Sequence, residues 1–184
     1  SLEVLKASGN GLEAMVLCPT AFIGPYDYKI SFLGQFFLDY AKGNYRFMLN
    51  GAYDCVEVRD VARGHISAAA LGRPGQVYLL SGHWVDMKQM TQMLETITGI
   101  KPPRFWLGKG LAGIISYLST LYHFLSRSKP QFTRYSWCTI NSNFQISNQK
   151  ARKELNYYPR PLADSLKDTV SWYLSLTGPY PGAP

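Results

Sequence analysis

The feature that most constrains the fold is a short apolar run that ends at a proline. The run "LEAMVLC" covers residues 12–18, has the length of a strand and contains one charged residue, Glu13. Such a run suits a strand that is buried on both faces, as in a parallel sheet. Pro19 fixes a backbone angle and removes a hydrogen-bond donor, so the strand is expected to end there.

Strand-like and helix-like patterns alternate around this run. Further strand candidates are "YRFML", "CVEV" and "QVYLLSG". Helical patterns cover "LEVLKASGNG", "KISFLGQFFLDYAKG", "VARGHISAAAL", "NQKARKEL" and roughly residues 162–176. Alternation of this kind over the first half of the chain predicts the α/β class.

Two helix starts can be assigned from side chains alone. Asp86, followed three residues later by Gln89, has the spacing of a capping box, and Gly99 is placed to end that helix. Asp60 is likewise expected to cap the helix "VARGHISAAAL", which would end at Gly72. These signals place two helices with defined bounds in the first hundred residues.

The composition is that of a globular protein. The 184 residues suffice for one ordinary domain, and 46% of them are hydrophobic while 17% are charged. Cys18, Cys55 and Cys138 lie far apart and match no metal-ligand spacing, which favours packing thiols in a reducing compartment. The first residues lack the basic start and apolar core of a signal peptide. We therefore expect a cytoplasmic location and no bound metal.

The net charge of +7 is unevenly distributed, because no acidic residue lies between Glu95 and Glu154. The basic residues of that stretch are Lys101, Arg104, Lys109, Arg127, Lys129, Arg134, Lys150, Arg152 and Lys153. One interpretation is a solvated face whose acidic partners lie elsewhere in a longer chain. The other is a surface or pocket that attracts an anionic substrate or a lipid headgroup. Nucleic acid is disfavoured, because these residues form no compact basic helix.

The segment "LGKGLAGIISYLSTLYHFL", residues 107–125, is rich in apolar side chains. Its length approaches that of a transmembrane helix. Lys109, Ser116 and His123 weaken that interpretation and favour an ordinary packed helix. A helix that contacts a membrane surface is the alternative, and it would make the protein membrane-peripheral.

Three motifs, in order along the chain, resemble one family. "GLEAMVLCPTAFIGPYD", "CVEVRDVARGHISAA" and "FQISNQKARKELNYYPRPLADSLKDTVSWY" are similar to segments of the extended short-chain dehydrogenases and reductases, the NAD-dependent epimerase/dehydratase type. The similarity is greatest to dihydroflavonol-reductase-like and hydroxysteroid-dehydrogenase-like members. The resemblance implies that residues 1–100 form the C-terminal part of a Rossmann-type parallel sheet, interleaved with substrate-region segments. Residues 101–184 would form a mainly helical substrate-binding region and a C-terminal tail.

Two motifs of the family are absent from the chain, which has no GxxGxxG and no YxxxK. In the family, the glycine-rich turn binds the pyrophosphate of NAD or NADP, and the tyrosine exchanges a proton with the substrate. The chain therefore resembles the C-terminal portion of such an enzyme. We expect no catalytic residue within it, and we expect the full-length protein to bind NAD or NADP.

The resemblance assigns cofactor contacts to the segment after the first predicted strand. Ligands of open α/β sheets bind beside the carboxyl ends of the strands. Pro19, Thr20, Ala21 and Phe22 would there face the nicotinamide, with backbone groups directed at its carboxamide. Cys18 stands where the family often has arginine, so the polar contact of that arginine is missing or replaced.

Three residues are predicted to bind substrate. Tyr53 stands where sugar-nucleotide epimerases carry a phosphate-binding arginine. Arg59 either shapes the substrate side or pairs with Asp60 or Glu57, and Arg134 could supply a phosphate contact from a different position.

The resemblance thus implies an NAD(P)-dependent oxidoreductase that acts on a carbonyl or secondary alcohol. Its substrate would be a small molecule, hydrophobic or anionic, and residues 107–125 would lie over the substrate cleft. One alternative is a sugar-nucleotide epimerase or dehydratase, and another is a non-catalytic binding protein that keeps the NAD(P) fold. A homodimer is a further expectation.

Overall fold

The computed structural model describes residues 1–45, 47–108 and 145–177. The strands in these ranges are β1 (Val16–Pro19), β2 (Ala21–Ile23), β3 (Phe47–Leu49), β4 (Ala52–Glu57), β5 (Val77–Leu80), β6 (His83–Asp86) and β7 (Phe105–Leu107). The helices are α1 (Leu2–Gly9), α2 (Phe32–Ala41), α3 (Val58–Leu71), α4 (Met87–Thr98), α5 (Gln149–Leu155) and α6 (Leu162–Thr177). The expectations for Arg134 and for the apolar segment from residue 109 onward fall outside the described residues.

The strands pair mainly in parallel, which confirms the predicted α/β class. β1 pairs with β5, and the apolar run before Pro19 therefore contributes a strand as expected. β2 pairs in parallel with β4, and β4 pairs in antiparallel with β6. β3 and β7 form a third, parallel pair. Parallel pairs need crossovers, and α3, which follows β4 and precedes β5, is one of the helices placed between strands.

Three of these strands were not predicted from the sequence: β2, β6 and β7. The residues of β2 were expected to be a loop, but they pair with β4 from Ala21 opposite Cys55 to Ile23 opposite Glu57. β2 and β7 contain three residues each and β6 contains four. Segments so short show no alternation of polar and apolar residues, and only the tertiary pairing identifies them as strands.

The core consists of two clusters of buried apolar residues. The larger cluster joins α2, α4 and α6 to β4 and β6, and it includes the stripe Leu162, Leu166, Val170 and Tyr173 of α6. The smaller cluster joins α3, α5 and β5. Apolar residues at helical spacing on α6 therefore pack as their periodicity predicts.

The helix α4 begins and ends where the sequence predicts. The Asp86 side chain accepts a hydrogen bond from the backbone N–H of Gln89 at 2.8 Å, which satisfies one of the free donors of the first turn. Gly99 adopts φ +72° at the other end, a conformation that favours glycine.

The predicted cap of α3 is wrong. Glu57, not Asp60, is the N-cap residue, and its side chain accepts from the backbone N–H of Arg59. The helix thus begins at Val58, so that Asp60 lies within its first turn and is 1% exposed. Asp60 instead accepts a hydrogen bond from the backbone N–H of Arg160 at 2.8 Å. A partner 100 residues away in sequence decides the role of this carboxylate, and local spacing does not reveal it.

Candidate functional site

The carboxyl ends of β1 and β5 meet at a small polar hub centred on Asp54. The Thr20 hydroxyl donates to Asp54 Oδ1 at 2.7 Å, and the backbone N–H of Gly82 donates to the same oxygen at 2.9 Å. The backbone N–H of Thr20 also reaches the Leu80 carbonyl at 3.4 Å. These contacts fix the start of the segment that follows β1 against the chain that leaves β5.

Gly82 is sterically required at this hub. A Cβ atom at this position would overlap the backbone carbonyl oxygen of Cys55. The close approach lets the Gly82 N–H reach Asp54, which a larger residue would prevent. Burial raises the pKa of the Cys55 thiol to about 12, so this neighbour stays protonated.

Three of the four residues predicted to contact a cofactor lie on two successive short strands, and Thr20 lies between these strands. Pro19 is the last residue of β1 and stands opposite Leu80. Ala21 and Phe22 belong to β2, opposite Cys55 and Val56. Within the described residues β2 is an edge strand, because its sheet has the order β2, β4, β6. Within the described residues no strand pairs with its outer side, and the Phe22 side chain of this strand is half-exposed.

A network of buried carboxylates and arginines lies next to this segment. Glu57 and Asp60 are 2% and 1% exposed. Arg160 Nε bridges them, at 2.7 Å from Glu57 Oε2 and 3.1 Å from Asp60 Oδ1, and Arg63 pairs with Asp60 as well. Two carboxylates buried so close together need such partners, because unpaired charges in a protein interior are strongly destabilising.

This network also contacts the loop after β2. A Cβ atom at Gly24 would lie 2.6 Å from Glu57 Oε1, and Gly24 has φ +130°. The position therefore accepts glycine only, and it brings the loop directly onto the buried Glu57 carboxylate.

The structure places Arg59 in this network. Its guanidinium contacts Glu57 at 2.8 Å and Asp168 of α6 at 2.5 Å. Hydrogen bonds to Glu57 and then to Asp168 raise the pKa of Arg59 above its ordinary value. The predicted pairing with Glu57 is present, whereas the predicted role in substrate binding stays a prediction.

Tyr53 occupies a different environment from the hub. It lies in β4 opposite Val85 and packs against the larger core cluster. Burial raises the pKa of its hydroxyl above 10.0, so the hydroxyl stays neutral. The substrate role of Tyr53 also stays a prediction, and Arg134 lies outside the described residues.

Asp54, Gly82 and Asn148 belong to the site but were not predicted. The Asn148 amide donates to the Ser81 carbonyl at 2.9 Å and so fixes the chain next to Gly82. Asp54 directly precedes the motif "CVEVRDVA", which is a signal that could have identified it. Gly82 and Asn148 carry no local signal, because their contacts depend on tertiary pairing.

The loop between β2 and α2 is held by a second carboxylate, Asp27. Its Oδ2 accepts from the backbone N–H of Ser31 and from the Tyr173 hydroxyl, each at 2.6 Å. Burial opposes ionisation of Asp27, but the hydrogen bonds from Tyr173 and Ser31 outweigh it and lower the pKa below 3.8. A Cβ atom at Gly34 would overlap the Tyr173 hydroxyl, so α2 and α6 meet at this clasp.

Comparison with known proteins identifies the type of fold and its relatives. No family model matches the chain. The chain is 31% identical over 173 residues to sterol demethylase protein B of Methylococcus capsulatus. The aligned region covers 93% of this chain and 53% of that protein. The chain is 29% identical over 179 residues to a putative dihydroflavonol 4-reductase of Synechocystis, again 93% of this chain and 51% of that protein. The resemblance to the C-terminal portion of extended short-chain dehydrogenases and reductases is confirmed.

Solved structures agree with this resemblance to the extended short-chain dehydrogenases and reductases. The crystal structure of gox2253 matches with a TM-score of 0.78 and 31% identity, covering 96% of this chain and 54% of that one. A nucleoside-diphosphate-sugar epimerase from Pseudomonas aeruginosa matches with a TM-score of 0.71 and 20% identity, covering 95% and 52%. The second match shows the fold alone. The chain thus spans about half the length of the curated relatives it matches.

No helix in residues 1–45, 47–108 and 145–177 is long and apolar enough to cross a membrane. In the same ranges no group of three or more His, Cys, Asp or Glu residues could hold a metal ion.

Proposed function

We propose that this chain is the C-terminal portion of an NAD(P)-dependent oxidoreductase that acts on a carbonyl or a secondary alcohol. Its relatives are of the epimerase, dehydratase and reductase type, and solved neighbours include complexes with NAD and with NADPH. The observation that carries the proposal is the segment Pro19–Phe22. It begins at the last residue of the parallel strand β1, leads into β2, which is an edge strand within the described residues, and is anchored by Asp54.

This segment has the chemistry that a nicotinamide needs. A bound NAD or NADP would accept or donate the hydride. Outward-facing backbone groups of the segment Pro19–Phe22 would bind the carboxamide, and the Phe22 ring would cover one side of the pyridine and exclude water. No charged side chain lies in residues 18–22, so no charge competes with that of the ring. Thr20 would act indirectly, because its hydroxyl is already held by Asp54.

We further propose that the substrate carries no nucleotide. A diphosphate is best held by arginine, whose forked donors match phosphate oxygens. Tyr53 stands in the place of one family arginine, and its neutral hydroxyl cannot neutralise phosphate. Arg59 is already bound to two carboxylates. Two of the curated relatives are named as a sterol demethylase protein and a putative dihydroflavonol 4-reductase, which supports a hydrophobic substrate without a nucleotide.

By the full-length protein we mean a longer protein that contains this chain. A competition assay on the full-length protein tests whether its substrate carries a nucleotide. Losing a charge-assisted contact to an anion costs about 1.5–3 kcal/mol, which is roughly ten- to a hundredfold in affinity. Millimolar UDP should therefore not inhibit ketone reduction.

Low-micromolar inhibition by UDP would restore the epimerase interpretation if Arg59→Ala or Arg134→Ala weakened it. Arg63→Ala is the matched control for Arg59, because Arg63 lies on the same helix with its side chain 63% exposed. Inhibition that all three variants weaken equally would indicate a general charge effect instead of a phosphate site.

A further inference from the structure

The loop between β2 and α2 holds two tyrosine rings outside the core and against a tryptophan of α6. Tyr26 is 59% exposed and Tyr28 is 80% exposed. The Tyr28 ring stands at 86° to the Trp172 ring with centroids 5.6 Å apart, and the Tyr26 ring stands at 66° to it at 6.4 Å. The tyrosine rings are 6.5 Å apart and tilted by 30°. We call Tyr26, Tyr28 and Trp172 the aromatic platform.

The aromatic platform is fixed from both sides by the Asp27 clasp. Asp27 lies between the two tyrosines in sequence, and its carboxylate binds the hydroxyl of Tyr173, the residue after Trp172. The same carboxylate binds the backbone N–H of Ser31, at the start of α2. One half-buried carboxylate thus positions the loop and the tryptophan together. Aromatic rings held in this way offer a large contact area and lose little conformational freedom when a ligand binds.

The aromatic platform begins four residues after the segment proposed to contact the cofactor. Phe22 ends that segment and is 50% exposed. Tyr26 follows four residues later, so at most about 14 Å of extended chain separates the two. A substrate whose reacting group lies beside Phe22 has to place its remaining atoms over a neighbouring surface. The aromatic platform is such a surface, because Tyr26 lies close to Phe22 in the chain.

The chemistry of the aromatic platform is apolar. Ile30 and Phe32 flank it and are 43% and 54% exposed. The Asp27 carboxylate is turned toward its hydrogen-bond donors, and Lys29 is the one basic residue in the loop sequence 24–31. Exposed apolar surface of this kind marks a site of ligand or partner contact.

We propose that the aromatic platform binds the flat, fused-ring body of the substrate, so that the reacting alcohol or ketone points toward Phe22. The proposal rests on the proposed oxidoreductase function and adds the substrate class. Flat rings gain stacking and edge-to-face contacts with aromatic side chains that a linear chain of similar hydrophobicity cannot make. Tyr26, Tyr28 and Trp172 are accordingly specificity-determining residues.

The experiment compares a flat and a linear ketone as probes. Binding of 9-fluorenone and of 2-decanone to the 184-residue chain is measured by ligand-observed NMR without any cofactor. The chain should bind 9-fluorenone more tightly. Tyr28→Ala and Trp172→Phe should each weaken its binding by about two- to tenfold, with little effect on 2-decanone. Tyr158→Ala is the matched control, since Tyr158 is 66% exposed and packs over Arg152.

Several outcomes would overturn the proposal. Equal affinity for both ketones, or 9-fluorenone binding that Tyr28→Ala leaves unchanged, would exclude the platform as a substrate site. Binding to neutral phosphatidylcholine vesicles that Tyr28→Ala abolishes, without binding of 9-fluorenone, would assign the platform to a membrane surface. Self-association that Tyr28→Ala abolishes, again without ketone binding, would assign it to a second copy. Tyr28 is so exposed that its replacement leaves the core intact.

The test separates this proposal from the proposed function. Binding is measured without cofactor and without turnover. Selective binding of 9-fluorenone to a protein that never transfers hydride would therefore contradict the oxidoreductase proposal alone. The platform proposal alone would be contradicted if the full-length protein reduces ketones and Tyr28→Ala leaves the KM for 9-fluorenone unchanged.

Discussion

The Thr20 side chain holds the proposed cofactor segment in place. Its hydroxyl donates to the Asp54 carboxylate, and the same carboxylate oxygen receives the Gly82 N–H. Thr20→Val keeps the shape and removes the donor, so the free energy of unfolding should fall by about 1.5–3 kcal/mol. Denaturant unfolding of the chain measures the change.

Thr96→Val provides the comparison for this substitution, because Thr96 is exposed and its hydroxyl donates to the Gln92 carbonyl of its own helix. Its effect on unfolding should stay within about 0.5 kcal/mol. Equal effects of the two substitutions would show that the hub contributes nothing beyond an ordinary surface hydroxyl.

At the scale of elements, the Asp27 clasp joins the β2–α2 loop to α6, and its strength should depend on pH. The pKa of the folded carboxyl is below 3.8, so ionised Asp27 stabilises the folded state above about pH 4. That contribution is lost as pH falls through the lower, folded pKa. Between pH 5 and pH 2 the wild-type chain should lose more stability than Asp27→Asn, measured by urea unfolding at each pH.

The helix α4 supplies the control for this pH dependence. Asp86→Asn removes an exposed capping carboxylate but keeps a side-chain oxygen that can accept from Gln89. Identical pH profiles of Asp27→Asn and the wild type would contradict the account of the clasp.

The elements that the sequence predicts are those whose signals are local. The capping pair of Asp86 and Gln89, the stop at Gly99 and the apolar stripe of α6 all depend on residues within a few turns. The strands β2, β6 and β7 depend on pairing partners far along the chain, and so does the burial of Asp60 against Arg160. Contacts of this range leave no periodic trace in the sequence.

The residues of the candidate site likewise fall into those that a local motif reveals and those that depend on distant contacts. The resemblance to a family located the segment Pro19–Phe22 because its motif is contiguous. Asp54 was accessible from the second motif, which it directly precedes, whereas Gly82 was not, because its requirement for glycine comes from the carbonyl of Cys55 on another strand. The role of Asp27 depends on Tyr173, which lies 146 residues away.

At the scale of the whole molecule, the chain corresponds to about half of each relative. In the described residues β1 pairs on one side only, α1 has no buried residue, and Leu79 of β5 is 40% exposed. An open strand edge with apolar surface favours association with another chain. The 184-residue chain alone should therefore self-associate and bind neither NAD nor NADP tightly.

Isothermal titration of the purified 184-residue chain with each dinucleotide measures this. The glycine-rich turn that binds the pyrophosphate in the family is absent from the sequence, so no micromolar binding is expected. A dissociation constant in the micromolar range for either cofactor would refute the expectation. It would also mean that the segment Pro19–Phe22 and its neighbours bind the dinucleotide without the rest of the fold.

We propose that the full-length protein transfers hydride to a substrate carbon with net consumption of cofactor. The direct measurement supplies NADH or NADPH deuterated at the transferring position of the nicotinamide, with 9-fluorenone as the ketone, and analyses the product by mass spectrometry. We expect one deuterium on the carbinol carbon of each alcohol formed, with one cofactor oxidised per product. Epimerisation is redox-neutral overall, so conversion of a UDP-sugar without net oxidation of the cofactor, together with no deuterated alcohol, would contradict the claim.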